Sequence, residues 1–204
     1  SSASAYLNRT PASAGNRCTW TWSGWVKRGY TGSDYTLFSV STTGSNFFEV
    51  TFASGSTIIQ IDQYNGSARD LLYQTSALYR DYSAWYHIVI AIDTTLAVAT
   101  DRVKLWVNGV QVTSFVTATV PSQNLATYVN STSAFNIGRR NTTSPIQYVD
   151  GYLANIDFID GQALDASYFG QFNLSTGVWG PAPYVGTYGT NGFKLNFSNG
   201  TSTT

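Results

Sequence analysis

The side chains that could carry out catalysis are few in this sequence. It contains a single Glu, Glu49, and a single His, His87. Hydrolysis of a glycosidic bond needs two carboxyl groups, about 5 Å apart in retaining enzymes. The nearest substitute for a Glu pair is Asp157 and Asp160, in the segment NIDFID. Because residues three apart on a strand point to opposite faces, this pair predicts no shared catalytic site. We interpret the two residues as a solvated strand residue and a turn former.

A Ser-His-Asp triad would depend on His87, in the middle of the segment WYHIVIAID. The sequence has no Gly-x-Ser-x-Gly nucleophile elbow to accompany it. Strand alternation places His87 on the face of Trp85 and Val89, which predicts a packed histidine. One His and one Cys, Cys18, are too few ligands for a zinc site. We therefore predict that the protein is not an enzyme.

Two loops carry residues of the types that bind sugars. A pyranose has one apolar face and a ring of hydroxyl groups, so an aromatic side chain beside polar side chains suits it. The segments QYNGSARD and GRRNTTS have this composition. Their candidate ligand-binding residues are Tyr64, Asn65, Arg69, Arg139, Arg140 and Asn141. The alternative for the tyrosine is cross-strand packing, and for the polar residues turn formation.

Charge and hydropathy exclude two classes of partner. Charged residues make up 11% of the chain, and 11 basic side chains balance 11 acidic ones. A neutral chain lacks the basic surface that nucleic acid attracts, and we predict no nucleic-acid binding. No apolar run approaches the length of a membrane span, so we predict no membrane insertion.

The elements that must position these residues are predicted to be strands. In DRVKLWVNGVQVTSF, two β-rich runs meet at Asn108-Gly109, which is typical of a type I′ hairpin turn. Asn65-Gly66 marks a second turn. WYHIVIAID is apolar on both faces and predicts a strand covered on both sides. Helix signals are almost absent. Asp165 is predicted to cap one 3₁₀ or helical turn in DASYFGQF.

The predicted fold is all-β, an antiparallel two-sheet β-sandwich of the jelly-roll type with little or no helix. About 11 to 13 short strands punctuated by turns are typical of it. We expect a single domain over residues 1–204, with its core at about 18–172 and an extended arm with a final strand at 173–204. Since the sequence starts at Ser1 and contains no Met, we also expect it to be part of a longer chain.

Several segments resemble those of concanavalin A-like lectin/glucanase domains of the laminin-G-like and pentraxin-like branch. They are TWTWSGWVKR, WYHIVIAID with DRVKLWVNGVQV, and FNIGRR with YVDGYLANIDFIDGQAL, in the family's order over about residues 18–172. The phrases SAYLNRTPASAGN and DGQALDASYFG, together with the tail STGVWGPAPYVGTYGTNGFKLNFSNG, are similar to lectin-like modules in tail-fibre and virion proteins of marine bacteriophages.

The resemblance has implications for catalysis and for metal binding. Glucanases of this fold use a Glu-x-Asp-x-x-Glu pattern, which a chain with one Glu cannot provide. Calcium is the one cofactor that the resemblance leaves open, through hard oxygen ligands in rim loops. The pentraxin-type acidic cluster is replaced here by Arg139 and Arg140, which argues against that site. A laminin-G-type site would use Asp93, Asp101 and Asn141.

Three functions follow as hypotheses. The first is a non-catalytic module of a phage tail fibre or appendage, located in the virion, which binds host cell-surface glycan. The second is a purely structural capsid or tail decoration module that contacts other virion proteins. The third is a carbohydrate-active enzyme, which the small number of carboxyl groups opposes. A module of a fibre can also form a homo-oligomer, and the sequence does not decide this.

Overall fold

The computed structural model describes residues 4–29, 34–43, 45–53, 55, 57–141 and 146–197. Within these ranges the chain forms fifteen strands and two short 3₁₀ turns. The strands, in chain order, are β1 (Leu7–Arg9), β2 (Thr19–Arg28), β3 (Tyr35–Thr43), β4 (Asn46–Phe52), β5 (Ile59–Asn65), β6 (Arg69–Thr75), β7 (Trp85–Asp93), β8 (Val103–Val107), β9 (Val110–Val112), β10 (Phe115–Thr119), β11 (Phe135–Ile137), β12 (Gly151–Asp160), β13 (Gly170–Phe172), β14 (Trp179–Pro181) and β15 (Phe193–Leu195). The 3₁₀ turns are Ala99–Asp101 and Ala166–Tyr168.

Two large antiparallel sheets make up the sandwich. The first sheet has seven strands in the order β1-β11-β3-β4-β5-β6-β10, and the second has six in the order β15-β12-β2-β7-β8-β9. A small third sheet pairs β13 with β14. The prediction of an all-β, two-sheet antiparallel sandwich with almost no helix is confirmed.

Apolar side chains between the two large sheets form the main core. Trp20 of the second sheet lies 5.3 Å, centroid to centroid, from Phe48 of the first sheet, edge to face. Trp22 stacks on Phe38 at 6.1 Å. Strand alternation in TWTWSGWV sends both of these tryptophans inward. The residues that alternate with them, Thr21 and Ser23 among them, therefore belong to the outer face of the second sheet.

The β8–β9 turn has the geometry that its sequence predicts. Asn108 and Gly109 both have positive φ, 50° and 79°, as a type I′ turn requires. The Asn65-Gly66 turn is different, because only Gly66 has positive φ and the loop extends to Ala68. The Asn65 side-chain oxygen accepts hydrogen bonds from the backbone N–H groups of Ser67 and Ala68.

Residues 161–191, which we call the cover segment, pack on the outer face of the second sheet. A second apolar cluster joins Val89 and Trp106 of the sheet to Phe169 and Tyr184 of the cover segment. Asp165 caps the 3₁₀ turn at Ala166–Tyr168 by accepting from the Ser167 N–H, as predicted. This cover buries the outer face of β7, which confirms that WYHIVIAID is covered on both sides.

Some strands were not predicted. β1, β13 and β14 are three residues long, too short to show an alternating pattern. β1 forms by pairing with the distant β11, and β13 and β14 pair with each other. β10 pairs with β6 across a register shift.

Within the described residues, we find no helix with the length and hydropathy needed to cross a membrane.

Candidate functional site

The predicted sugar-binding residues Tyr64, Arg69 and Arg140 lie together on the outer face of the first sheet. The Phe47 ring links them, at 5.8 Å from the Tyr64 ring and 4.1 Å from the Arg140 guanidinium. Arg69 lies 5.7 Å from the Tyr64 ring. The structure therefore brings residues from β4, β5, β6 and the segment after β11 into one cluster.

Both guanidinium groups of this cluster pair with carboxylates beneath them. Arg69 Nε lies 3.1 Å from Asp62 Oδ2, and Arg140 Nε lies 3.2 Å from Glu49 Oε2. Glu49 and Asp62 are directly opposite each other on β4 and β5, and both are buried. Burial raises the pKa of Glu49 to about 7, although Arg140 lowers it, and Asp62 adds to the rise. The charges of the cluster are therefore paired internally, although Glu49 Oε2, Arg140 Nε and Asp62 Oδ1 are buried without a hydrogen-bond partner.

The other three predicted residues have different surroundings. Asn65 uses its side chain within its turn, and its Nδ2 also donates to Asp70 Oδ1 at 2.8 Å. Arg139 lies over the Tyr6 ring at 3.4 Å and donates to Asn136 Oδ1. Asn141 is half-buried after Arg140, at the end of a described range. None of the six lines the two pockets described next, so their role in binding stays a prediction.

A polar pocket lies on the opposite side of the molecule, on the outer face of the second sheet. Its volume is about 480 Å³. Trp106 of β8 and Ala91 of β7 form its floor. The polar side chains of its wall are Asp93, Asp101, Lys104, Gln111 and Asp165. We call it the Trp106 pocket.

Two of the predicted calcium ligands, Asp93 and Asp101, thus line the same pocket. Asp93 Oδ1 accepts from the N–H and hydroxyl of Thr95, and Asp101 lies 3.6 Å from the Lys104 ammonium. Asn141, the third predicted ligand, directly follows Arg140, which pairs with Glu49 on the outer face of the first sheet. Among the described residues no three His, Cys, Asp or Glu side chains are grouped so as to hold a metal ion. Calcium binding stays a prediction.

A second, smaller pocket lies on the same face of the second sheet, near β12 and β15. Its volume is about 250 Å³, and we call it the Trp25 pocket. Its lining residues are Ser23, Trp25, Asn155, Asp157, Phe169, Pro181, Ala182, Pro183 and Lys194. One row of cross-strand neighbours connects both pockets: Lys194, Asp157, Ser23, Val89, Trp106 and Gln111.

Sequence reasoning proposed Asp93 and Asp101 as ligands but no other residue of these pockets, although part of the signal was present. Alternation along VKLWV places Lys104 and Trp106 on one face, and the β8–β9 hairpin pairs Trp106 with Gln111. Asp93 and Asp101 come from β7 and the loop after it, and Ala163 and Asp165 come from the cover segment. Only the path of the folded chain brings that segment over β8.

His87 lies beside Trp25, its cross-strand neighbour, and is held in one neutral form. Its ring stacks on Trp25 at 4.7 Å and on Trp179 at 6.0 Å. Trp179 Nε1–H donates to His87 Nδ1 at 3.0 Å, so the ring proton is on Nε2, which lies 2.9 Å from Ser23 Oγ. Burial lowers the His87 pKa to about 4. A protonated Nε2 cannot remove a proton from Ser23, so this Ser-His pair is not an activated nucleophile.

The interpretation of Asp157 and Asp160 as a turn former and a solvated residue was wrong, because both side chains are buried. Asp157 accepts a 2.6 Å hydrogen bond from the Tyr188 hydroxyl. Asp160 accepts from the Asn16 and Asn191 backbone N–H groups and from Asn130 Nδ2. The cover segment and the chain near the N-terminus bury these carboxylates, and the sequence pattern of β12 alone contains no sign of that.

A family model described as the concanavalin A-like lectin/glucanases superfamily, of the laminin G type, matches residues 1–167. The chain belongs to this superfamily. The resemblance seen in the sequence is therefore confirmed at this level. No curated protein matches the sequence.

Solved structures from three organisms share the fold. The native heptameric pentraxin of Limulus polyphemus has a TM-score of 0.54 and 12% identity, over 78% of this chain and 70% of the pentraxin chain. Domain 4 of the arabinanase AbnA of Geobacillus stearothermophilus, in complex with arabinotriose, has 0.54 and 16%, over 76% and 66%. The CBM40 module of the Ruminococcus gnavus IT-sialidase, bound to α2,3 sialyllactose, has 0.53 and 12%, over 79% and 94%. At these identities the likeness establishes the fold alone.

Proposed function

We propose that this protein is a non-catalytic carbohydrate-recognition module and that the Trp106 pocket holds the sugar. The observation that carries the proposal is the pocket itself: about 480 Å³, with an indole in its floor and hydrogen-bonding side chains in its wall. Carboxylates at Asp93, Asp101 and Asp165 accept hydrogen bonds, Lys104 donates, and Gln111 does both. Sugar hydroxyl groups need both kinds of partner, and an aromatic floor suits the C–H face of a sugar ring.

The relatives support carbohydrate as the ligand class. The AbnA domain and the CBM40 module were both solved with oligosaccharides bound, and both share the fold of this chain. Catalysis is opposed by the chemistry of the residues present. Glu49 pairs with Arg140, the Asp157 and Asp160 carboxylates are committed to separate hydrogen bonds, and His87 is a neutral donor.

A panel of immobilised glycans, probed with the full chain, tests the proposal. At least one glycan is expected to bind, and Lys104→Met and Gln111→Ala should each weaken binding about tenfold by removing one hydrogen-bonding partner. The matched control is Trp85→Ala, which removes an exposed indole that lines neither pocket. Absence of binding to any glycan, or equal binding by Lys104→Met, Gln111→Ala and the unmodified protein, contradicts the proposal.

We further propose that the module acts in a phage virion, as part of a tail fibre or appendage that contacts host cell-surface glycan. Its support is the sequence likeness of the segments SAYLNRTPASAGN and DGQALDASYFG to such modules. Several copies in one particle would make weak single-site binding sufficient, because linked sites raise the overall affinity by roughly 10²- to 10⁴-fold. The gene's neighbours test this context: virion-assembly genes are expected, and a cluster of sugar-metabolism genes would contradict it.

A structural decoration module is the second candidate, and an exposed apolar groove favours it. The groove lies between the edge strands β1 and β15, with a cavity of about 200 Å³ lined mainly by Leu7, Phe135, Ile137 and Phe193. Exposed apolar surface of this kind is typical of protein contacts. If the module is structural, Leu7→Lys should prevent attachment of the chain to the particle. The unmodified protein should bind no glycan. Unchanged attachment of Leu7→Lys contradicts it.

A further inference from the structure

The Trp25 pocket is built around an irregularity in β12. The register with β2 shifts between Ala154 and Asp157, and Asn155 within this bulge has φ of +45°. Left-handed backbone at a residue other than glycine costs about 1 kcal/mol or more and is concentrated at functional sites. Bulges beside binding sites redirect side chains out of the regular alternation. Here Asn155 and Asp157 both line the pocket.

The pocket contains a buried hydrogen-bond acceptor and an exposed donor of opposite charge. Asp157 is 4% exposed, and the Tyr188 hydroxyl holds its Oδ1. Lys194 is its direct neighbour on β15, and its side chain is exposed. Burial raises the pKa of Asp157, while the Tyr188 hydroxyl and the more distant charge of Lys194 lower it. The Asp157 carboxylate and the Lys194 ammonium group, both in the described part of the chain, are not within ion-pair distance of each other. A ligand can therefore lie between the carboxylate and the ammonium group.

The opposite wall of the Trp25 pocket is apolar. Phe169, Pro181, Ala182 and Pro183 of the cover segment form it, and the Ala182 N–H is already bonded to the Phe169 carbonyl. Trp25, fixed by its stacking on His87, supplies an aromatic surface. A volume of about 250 Å³ equals roughly eight water molecules at about 30 Å³ each, which is room for one sugar residue.

These features together select one kind of substituent. A ligand carboxylate would oppose Asp157, and a ligand ammonium group would oppose Lys194. Hydroxyl groups alone would satisfy the polar atoms but leave the apolar wall in contact with water. A secondary amide with a methyl group fits all three features: its N–H donates to Asp157, its carbonyl accepts from Lys194, and its methyl group packs on the apolar wall.

We propose that the Trp25 pocket is a second binding site, specific for the acetamido group of an N-acetylated sugar. The sugar ring lies against Trp25 while the acetamido group lies between Asp157, Lys194 and the cover segment. The inference rests on the proposed carbohydrate recognition and adds a second site. Three strand spacings of about 4.8 Å separate Asp157 from Trp106, so the two sites are about 14 Å apart along one row of the sheet.

Side-chain indole signals of the ¹⁵N-labelled full chain report on both pockets in one experiment. The probes are N-acetylglucosamine, glucose and glucosamine, which share one ring and differ at a single substituent. N-acetylglucosamine is expected to shift the Trp25 indole signal saturably, with glucose and glucosamine at least tenfold weaker. Lys194→Met should weaken N-acetylglucosamine binding about tenfold, and Asp157→Asn should do so by replacing an acceptor oxygen with a donor.

Lys27→Met is the matched control. It removes the same ammonium group, from a residue of β2 that lines neither pocket. Lys194 is exposed, so its variant is expected to fold, and the indole spectrum verifies this. Equal affinity for N-acetylglucosamine and glucose, or an effect of Lys27→Met equal to that of Lys194→Met, overturns the inference. If only Trp106 responds to sugars, the acetamido site is wrong and the proposed function stands. If only Trp25 responds, the proposed location fails and the acetamido site stands. If neither responds to any sugar, both fail.

Discussion

At the scale of single residues, His87 connects the strand it belongs to with the segment that covers it. Its Nδ1 accepts from Trp179 of the cover segment, while its ring stacks on Trp25 of the neighbouring strand. A protonated imidazole has no free acceptor, so the contact with Trp179 exists only in the neutral form. The buried ring therefore makes the cover segment sensitive to acid.

Acidification is expected to destabilise the protein through His87. Its pKa is about 4 when folded and near 6.5 when unfolded, so the unfolded chain binds the proton more tightly. The stability that this neutral ring provides is complete above pH 6.5 and is lost as the pH falls towards 4, by about 3 kcal/mol. Because the chain has one histidine, its NMR signal gives the midpoint without assignment. A midpoint at pH 6 to 7 would contradict the buried, neutral ring.

Glu49 is expected to have the opposite effect. Its folded pKa of about 7 exceeds the ordinary 4.5, because burial outweighs Arg140 and Asp62 and Asp34 repel the charge. The stability that the neutral carboxyl provides is complete below pH 4.5 and is lost as the pH rises through 7. Glu49→Gln should therefore gain stability relative to the unmodified protein between pH 5 and 8, by up to about 3 kcal/mol. Urea unfolding at both pH values measures this, and a constant difference between the two proteins refutes it.

At the scale of elements, one residue of the β8–β9 hairpin, Gly109, has two structural functions. Gly109 has φ of 79°, as its turn requires, and a Cβ there would lie 2.4 Å from the Trp179 ring. The hairpin therefore forms part of the seat for the cover segment. The sequence predicts the first function and contains no sign of the second, since Trp179 is seventy residues away along the chain.

Two glycine substitutions separate these functions. Gly161 has φ of 87°, and a Cβ there meets nothing within 4 Å, so Gly161→Ala should cost only backbone strain, about 1 kcal/mol. Gly109→Ala adds the displacement of Trp179 and should cost about 3 kcal/mol. Urea unfolding measures both losses. Equal losses for the two variants would show that Trp179 does not depend on the hairpin.

At the scale of the whole molecule, Asp160 joins distant parts of the chain. Its carboxylate accepts from Asn16 near the N-terminus, from Asn130 in the loop before β11, and from Asn191 at the end of the cover segment. Asn191 also donates to Asn130 Oδ1 and to the Ser13 carbonyl. Four separate segments thus share one buried hydrogen-bond network.

Asp160→Ala should destabilise the entire domain. It leaves three donors without an acceptor in a buried place, at an expected total cost of about 3 kcal/mol or more. Asp81→Ala is the matched control, because Asp81 also accepts from three donors, within the turn at Ser83 and Ala84, but is exposed. Its loss should be much smaller, because water can replace the missing acceptor at an exposed site. The comparison fails if the two variants unfold at the same urea concentration.

The sequence by itself determined most of the strands, the two-sheet class and the β8–β9 turn. These features arise from period-two alternation and from the φ > 0 that Asn108-Gly109 adopts readily, both of which are local. It also determined the shortage of catalytic groups, because a count of Glu and His residues needs no coordinates. The position of the candidate binding site could not be predicted from the sequence in this way. The predicted Tyr64, Arg69 and Arg140 do lie together, but with their charges paired internally.

Only the tertiary structure decided where the pockets lie. Lys104, Trp106 and Gln111 share a face by alternation, but they become the floor and wall of a pocket only when the cover segment brings Asp165 over them. Asp157 acquires its buried position from Tyr188 of the same segment. The cover segment has little regular structure, and its position depends on long-range contacts such as Trp179 with His87. Local sequence patterns contain no record of such contacts, because the partners are far apart along the chain.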